Sequence, residues 1–151
     1  MSTLEAIGTP SADGVPTRRA RLLLAEDDFE LRDLMACVLR ANGHEVVEAQ
    51  NGEELCSLLG TDMVNGERTF ALVVSDVCMP GLTAFDVLSK LQQWLSNTPV
   101  ILITAFGDRT THLRGLRLGA YRVLDKPFDC DDLCAAVQEA LGQRPEARRA
   151  S

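Results

Sequence analysis

The stretch FALVVSDVCMPG, Phe70 to Gly81, decides the fold. Its first six residues, Phe70 to Ser75, are nearly all apolar and β-prone, the composition of a strand covered on both faces. Such a strand belongs to a parallel sheet flanked by helices, because parallel neighbours must be joined by crossovers. Asp76 follows the run directly, and Met79-Pro80-Gly81 then turns the chain, so the strand delivers a carboxylate to its own carboxyl end.

The same alternation extends in both directions. Upstream, Arg21 to Ala25 reads as a buried strand, followed by a helix in which Leu31, Leu34, Met35, Val38 and Leu39 recur at helical spacing until Asn42-Gly43 ends it. A short strand is expected near Glu45 to Glu48. Next come a helix near Gly52 to Leu59, with Leu55, Leu58 and Leu59 on one face, and a polar linker from Gly60 to Arg68. Downstream, a helix carries Phe85, Leu88, Leu91 and Leu95, and Pro99 to Thr104 repeats the strand signal. A helix near Arg109 to Leu118, a strand near Tyr121 to Asp125 and a last helix with Leu133, Ala136, Val137, Ala140 and Leu141 complete five β-α units. The architecture is α/β, a five-stranded parallel sheet with helices on both faces.

The 151 residues suffice for one domain, and 46% hydrophobic with 25% charged residues is the composition of a folded globular chain. That domain is expected over residues 21–142, between mobile tails at 1–20 and 143–151 that lack periodicity. Charge is uneven: residues 22–143 carry a net −10, against +1 before them and +2 after, for −7 in all. An acidic body repels phosphates, so direct nucleic acid binding by the core is not expected. The longest apolar runs are Leu22 to Ala25, Ala71 to Val74 and Val100 to Ile103, far short of the roughly 20 residues that span a bilayer. Without a membrane span or a secretory start, the cytoplasm is the expected compartment. Cys37, Cys56, Cys78, Cys130 and Cys134 lack zinc-ribbon or disulfide-scaffold spacing and read as buried free thiols.

Polar residues cluster at one edge. Glu26, Asp27 and Asp28 follow the first strand, Asp76 the third, Thr104 the fourth and Lys126 the fifth. In open parallel sheets ligands bind beyond the carboxyl ends, where the strand order reverses. Crowded carboxylates raise each other's proton affinity, and a divalent cation with oxygen ligands relieves that repulsion. Carboxylates, a cation, an ammonium and a hydroxyl together suit phosphoryl transfer to a carboxylate. Each residue also has a structural explanation: Asp27 or Asp28 as a helix N-cap with Glu30 in a capping box, Asp76 as a turn former, Thr104 as a strand-end hydroxyl, Lys126 as a solvated charge. Their recurrence at one edge favours the shared chemical role.

LLLAEDD, LVVSDVCMPG, VILITAFGD and LDKPFD, in this order, resemble the receiver domain of bacterial two-component response regulators over about residues 20 to 142. The resemblance implies the flavodoxin-like strand order 2-1-3-4-5. It implies Asp76 as phosphoacceptor, Glu26, Asp27 and Asp76 as Mg²⁺ ligands with the backbone carbonyl of Cys78, and Thr104 and Lys126 as contacts of the phosphoryl group. It also implies a cis Lys126-Pro127 bond. One position departs from the family: receivers often carry Tyr or Phe three residues before Lys126, where this chain has Val123, with its one tyrosine at Tyr121.

The reading is therefore a response regulator that accepts a phosphoryl group on Asp76 from a sensor histidine kinase or phosphotransfer protein and signals by phosphorylation-dependent binding to an output protein. It is a switch rather than an enzyme. With roughly nine residues after the last helix, too few for an output domain, the receiver is expected to stand alone. The rival is a Mg²⁺-dependent phosphohydrolase of the haloacid dehalogenase type, which needs a second aspartate two residues past the nucleophile, where this chain has Cys78. A nucleotide or flavin binder would want a glycine-rich phosphate loop after the first strand, where Glu26-Asp27-Asp28 would repel a phosphate.

Overall fold

The computed structural model of the chain describes residues 19–105 and 107–142. The expected tails lie outside these residues, apart from Arg19 and Ala20, which lead into the first strand. The elements are β1 (Arg21–Ala25), α1 (Phe29–Ala41), β2 (Glu45–Ala49), α2 (Gly52–Asn65), β3 (Leu72–Asp76), α3 (Ala84–Lys90), a 3₁₀ turn (Trp94–Asn97), β4 (Val100–Thr104), α4 (Arg109–Arg117), β5 (Arg122–Asp125) and α5 (Cys130–Gly142).

All strand pairs are parallel, in the order β2-β1-β3-β4-β5, so the order in which strands are added reverses between β1 and β3 as expected. Alternate residues of each strand face opposite layers. Leu23, Val73 and Leu102 point into a core with Leu55 and Leu59 of α2 and Val87 and Leu88 of α3. Leu22, Leu24, Val74 and Ile101 point the other way, against Met35 and Leu39 of α1 and Leu133, Val137 and Leu141 of α5. This double coverage explains why β3 and β4 are buried at every position.

Turn chemistry sets the helix ends. Asp28, Asn51, Thr83 and Asp108 each cap a helix by accepting from a backbone N–H three residues on. After α1, Gly43 takes a left-handed φ of 95°, the conformation expected of Asn42-Gly43.

Two expectations about helix bounds needed correction. The expected linker from Gly60 is helical as far as Asn65, because Asp62 turns inward and accepts from both the N–H and the hydroxyl of Thr69, which tie the helix end back to the chain entering β3. The expected helix through Leu95 stops at Lys90, and the chain re-forms as a 3₁₀ turn at Trp94. Arg68 stacks on the Trp94 ring at 3.9 Å and donates to its carbonyl. No helix among the described residues is long and apolar enough to cross a membrane.

Candidate functional site

Strand register brings the acidic residues together. Ala25 of β1 lies opposite Ser75 of β3, so Glu26 and Asp76, the next residue on each strand path, emerge side by side. Asp76 lies opposite Ile103, and Thr104 opposite Asp125, which places Thr104 and Lys126 at the adjoining strand ends. Lys126 N–H donates to the Thr104 carbonyl at 2.8 Å, carrying β5 pairing one residue past the strand. Glu26, Asp76 and Thr104 are almost wholly buried, whereas Asp27 is exposed.

Lys126 bridges the two buried carboxylates, with Nζ 2.9 Å from Asp76 Oδ2 and 3.2 Å from Glu26 Oε1. Burial by itself would lower the Lys126 ammonium, but the Asp76 bond and the charges of Asp76 and Glu26 hold it above its ordinary value. Burial pushes the Glu26 carboxyl up to about 7; the Asp76 charge adds to this, while the Asp28 N–H and Lys126 oppose it. Glu26 Oε2 accepts the Asp28 N–H at 3.1 Å. Glu26 Oε1, buried, is ion-paired with the ammonium and makes no other polar contact of its own.

Asp28 and Asp27 divide their duties. Asp28 Oδ1 accepts Leu31 N–H and caps α1, so capping does not occupy Asp27. One carboxylate oxygen each from Glu26, Asp27 and Asp76 lie within 4.8 Å of one another. An all-oxygen set, including a buried Glu26 oxygen whose one partner is an ammonium, suits a hard divalent cation such as Mg²⁺. Cys78 N–H donates to Asp76 Oδ1 at 3.2 Å, while its side chain is exposed. With Oδ2 on Lys126, both oxygens of Asp76 are oriented.

The Lys126-Pro127 bond is cis, as expected. Val123 is half-buried beneath α4, against the same core layer as Phe85 and Leu102. The five cysteines are free thiols but not buried as expected: Cys37 and Cys78 are exposed and the other three half-buried, with Cys134 Sγ accepting from Asn42 Nδ2 at 2.8 Å.

Sequence reading missed Arg32. Its Nη1 donates to the Glu26 carbonyl at 2.8 Å, and its Nε pairs with Glu48 Oε1 at 3.0 Å. The available signal was its place one turn past the capping Asp28, on the side of α1 that meets β2.

Comparison with known proteins gives the family. The response regulator receiver domain family matches residues 22–138. Across 122 residues the chain is 35% identical to the transcriptional regulatory protein CpxR homolog of Haemophilus influenzae, covering 81% of this chain and 50% of that one. It is 36% identical over 121 residues to CpxR of Escherichia coli, covering 80% of this chain and 49% of that one. The chain thus spans about half the length of these curated relatives. A solved structure, the receiver domain of the Francisella response regulator 1452, superposes with a TM-score of 0.73 at 26% identity, covering 87% of this chain and 99% of that one.

Proposed function

Because the chain belongs to the response regulator receiver family, we propose that it acts in the cytoplasm, accepts a phosphoryl group on Asp76 from a sensor histidine kinase or phosphotransfer protein and then binds an output protein. The observation that carries this reading is the Lys126 ammonium held between Asp76 and Glu26 beside the exposed Asp27. An ordinary capping or solvated role would not draw a lysine onto two buried acids.

In this reading an Asp76 carboxylate oxygen attacks the phosphorus of phosphohistidine; the O–P bond forms as the P–N bond breaks, and the departing imidazole takes up a proton. The Cys78 N–H and Lys126 orient the attacking carboxylate, and Lys126 with Thr104 then stabilises charge on the transferred oxygens. Mg²⁺, held by Glu26, Asp27, Asp76 and the Cys78 carbonyl, would neutralise the remaining phosphoryl charge. Phosphorylation-dependent binding, rather than turnover of a metabolite, is the output.

The test is intact-mass spectrometry after incubation with acetyl phosphate and Mg²⁺. One added phosphoryl group is expected on the unaltered chain and none on Asp76→Asn. Undiminished addition on that variant would overturn the assignment.

A further inference from the structure

We infer that Arg32 is a positioning residue for the cation site, acting through the Glu26 carbonyl without touching the cation. The inference rests on the proposed Mg²⁺ site and deepens it. Glu26 and Asp27 share one peptide unit, whose carbonyl belongs to Glu26 and whose N–H belongs to Asp27; that unit is planar, so fixing one end fixes the other. Arg32 Nη1 holds the carbonyl at 2.8 Å, and Glu26 N–H is already bound to the Ala49 carbonyl at 3.1 Å. Both backbone groups of Glu26 are therefore anchored. The peptide entering exposed Asp27 cannot swing while Arg32 stays in place.

Arg32 is itself held. Its side chain is only 11% exposed, its Nε pairs with Glu48 Oε1 on β2, and its guanidinium lies 5.5 Å from the Phe29 ring. Glu48 is in turn shared with Arg40, whose Nη2 meets Glu48 Oε2 at 3.1 Å and the Val46 carbonyl at 2.8 Å. A guanidinium can grip two acceptors at fixed angles with a rigid planar fork, which an ammonium cannot do. The chain Arg40, Glu48, Arg32 thus runs from the far end of α1 along β2 to the peptide that carries the acidic pair. Glu26 and Asp27, on an all-acidic loop of three residues between β1 and α1, would otherwise separate under their own repulsion.

The Glu48 partnership provides an internal control. Arg40 touches the same Glu48 but not Glu26, so its loss removes a comparable tie between α1 and β2 while leaving the Glu26 carbonyl held. Calorimetric titration of the unphosphorylated chain with MgCl₂ should show about tenfold weaker binding in Arg32→Met, and binding within twofold of the unaltered chain in Arg40→Met. At saturating Mg²⁺ the rate of phosphorylation by acetyl phosphate in Arg32→Met should return to within twofold, because the defect lies in cation affinity and not in the reacting groups. Should Arg32→Met fail to fold, Glu48→Ala, which frees one arm of the fork, is expected to weaken Mg²⁺ about threefold. Arg32→Met binding Mg²⁺ within twofold, or Arg40→Met losing as much as Arg32→Met, would overturn the positioning role while leaving the proposed function standing. Absence of Mg²⁺ binding by the unaltered chain would overturn the proposed function, and this inference with it.

Discussion

Gly115 of α4 lies directly over Val123 of β5: a Cβ at residue 115 would fall 3.1 Å from Val123 Cγ2 and 2.9 Å from Leu102 Cδ1. The α4 backbone is therefore seated on the side chains of β4 and β5 with no room for a methyl group. Leu102 is fully buried and cannot retreat without disturbing the core.

Two glycines in helix interiors should consequently respond in opposite ways. Gly115→Val is expected to cost about 2 kcal/mol, since overpacking outweighs any gain in helix propensity. Gly60 in α2 has nothing within 4 Å of the corresponding position, and Gly60→Ala should stabilise by about 0.5–1 kcal/mol. Urea denaturation of both variants checks the contrast, and a neutral Gly115→Val would mean that α4 moves freely off the sheet.

Lys126 competes for the carboxylates that would hold the cation. Lys126→Ala should bind Mg²⁺ at least threefold more tightly, because a positive charge 2.9 Å from Asp76 is gone. Its phosphorylation by acetyl phosphate should nonetheless slow by about 10²-fold, the scale on which removing one preorganised charge-stabilising group acts. Mg²⁺ calorimetry and the initial phosphorylation rate separate the two effects. A variant that loses Mg²⁺ binding would show the ammonium supporting the site rather than opposing the cation.

Thr104 and Val123 should differ in the response to phosphorylation. Val123 has a short β-branched side chain with restricted rotamers, so it cannot exchange a large ring between buried and exposed positions. Any signal reaching α4 is expected to run through the buried Thr104 hydroxyl and the loop after it. Beryllofluoride, a mimic of the phosphoryl group, should change amide hydrogen exchange in α4 of the unaltered chain. Thr104→Ala should lose most of that change and Val123→Ala should keep it; the reverse pattern would make residue 123 the switch.

His44 predicts a pH dependence remote from the acidic site. Its ring is buried, Nδ1 accepts the Ala20 N–H at 3.1 Å, and Nε2 faces Gln138. Burial, reinforced by the Arg19 charge, lowers its pKa below the ordinary 6.5. The unfolded chain then binds the proton first as pH falls, so the His44 contribution is fully present above about 6.5 and declines toward the lowered folded value. Glu26, raised to about 7, acts in the opposite sense. Comparing urea midpoints of the unaltered chain and His44→Gln at pH 7.5 and 5.5 cancels Glu26, which both share. The unaltered chain should lose more stability on acidification, and equal losses would exclude the histidine.

The five β-α units, the doubly covered strands and the edge at which Glu26, Asp27, Asp76, Thr104 and Lys126 gather were legible along the chain. Those features follow from local hydrophobic periodicity and from residues that end strands, and both are written along the chain. Tertiary structure decided the rest. Gly60 to Asn65 reads as polar linker because the reason it stays helical, Asp62 accepting from Thr69, requires α2 to be folded against the entry to β3. The choice between Asp27 and Asp28 as helix cap was open in the sequence, since adjacent aspartates offer the same chemistry, and backbone direction alone assigns Leu31 N–H to Asp28. Arg32 looked like one more charge on α1. Its bond to the Glu26 carbonyl depends on β2 presenting Glu48, from 16 residues away in the chain, to the other arm of the guanidinium. A directional hydrogen bond between distant segments has no periodic trace in sequence, because its geometry exists only after the sheet register has set where each donor and acceptor lies.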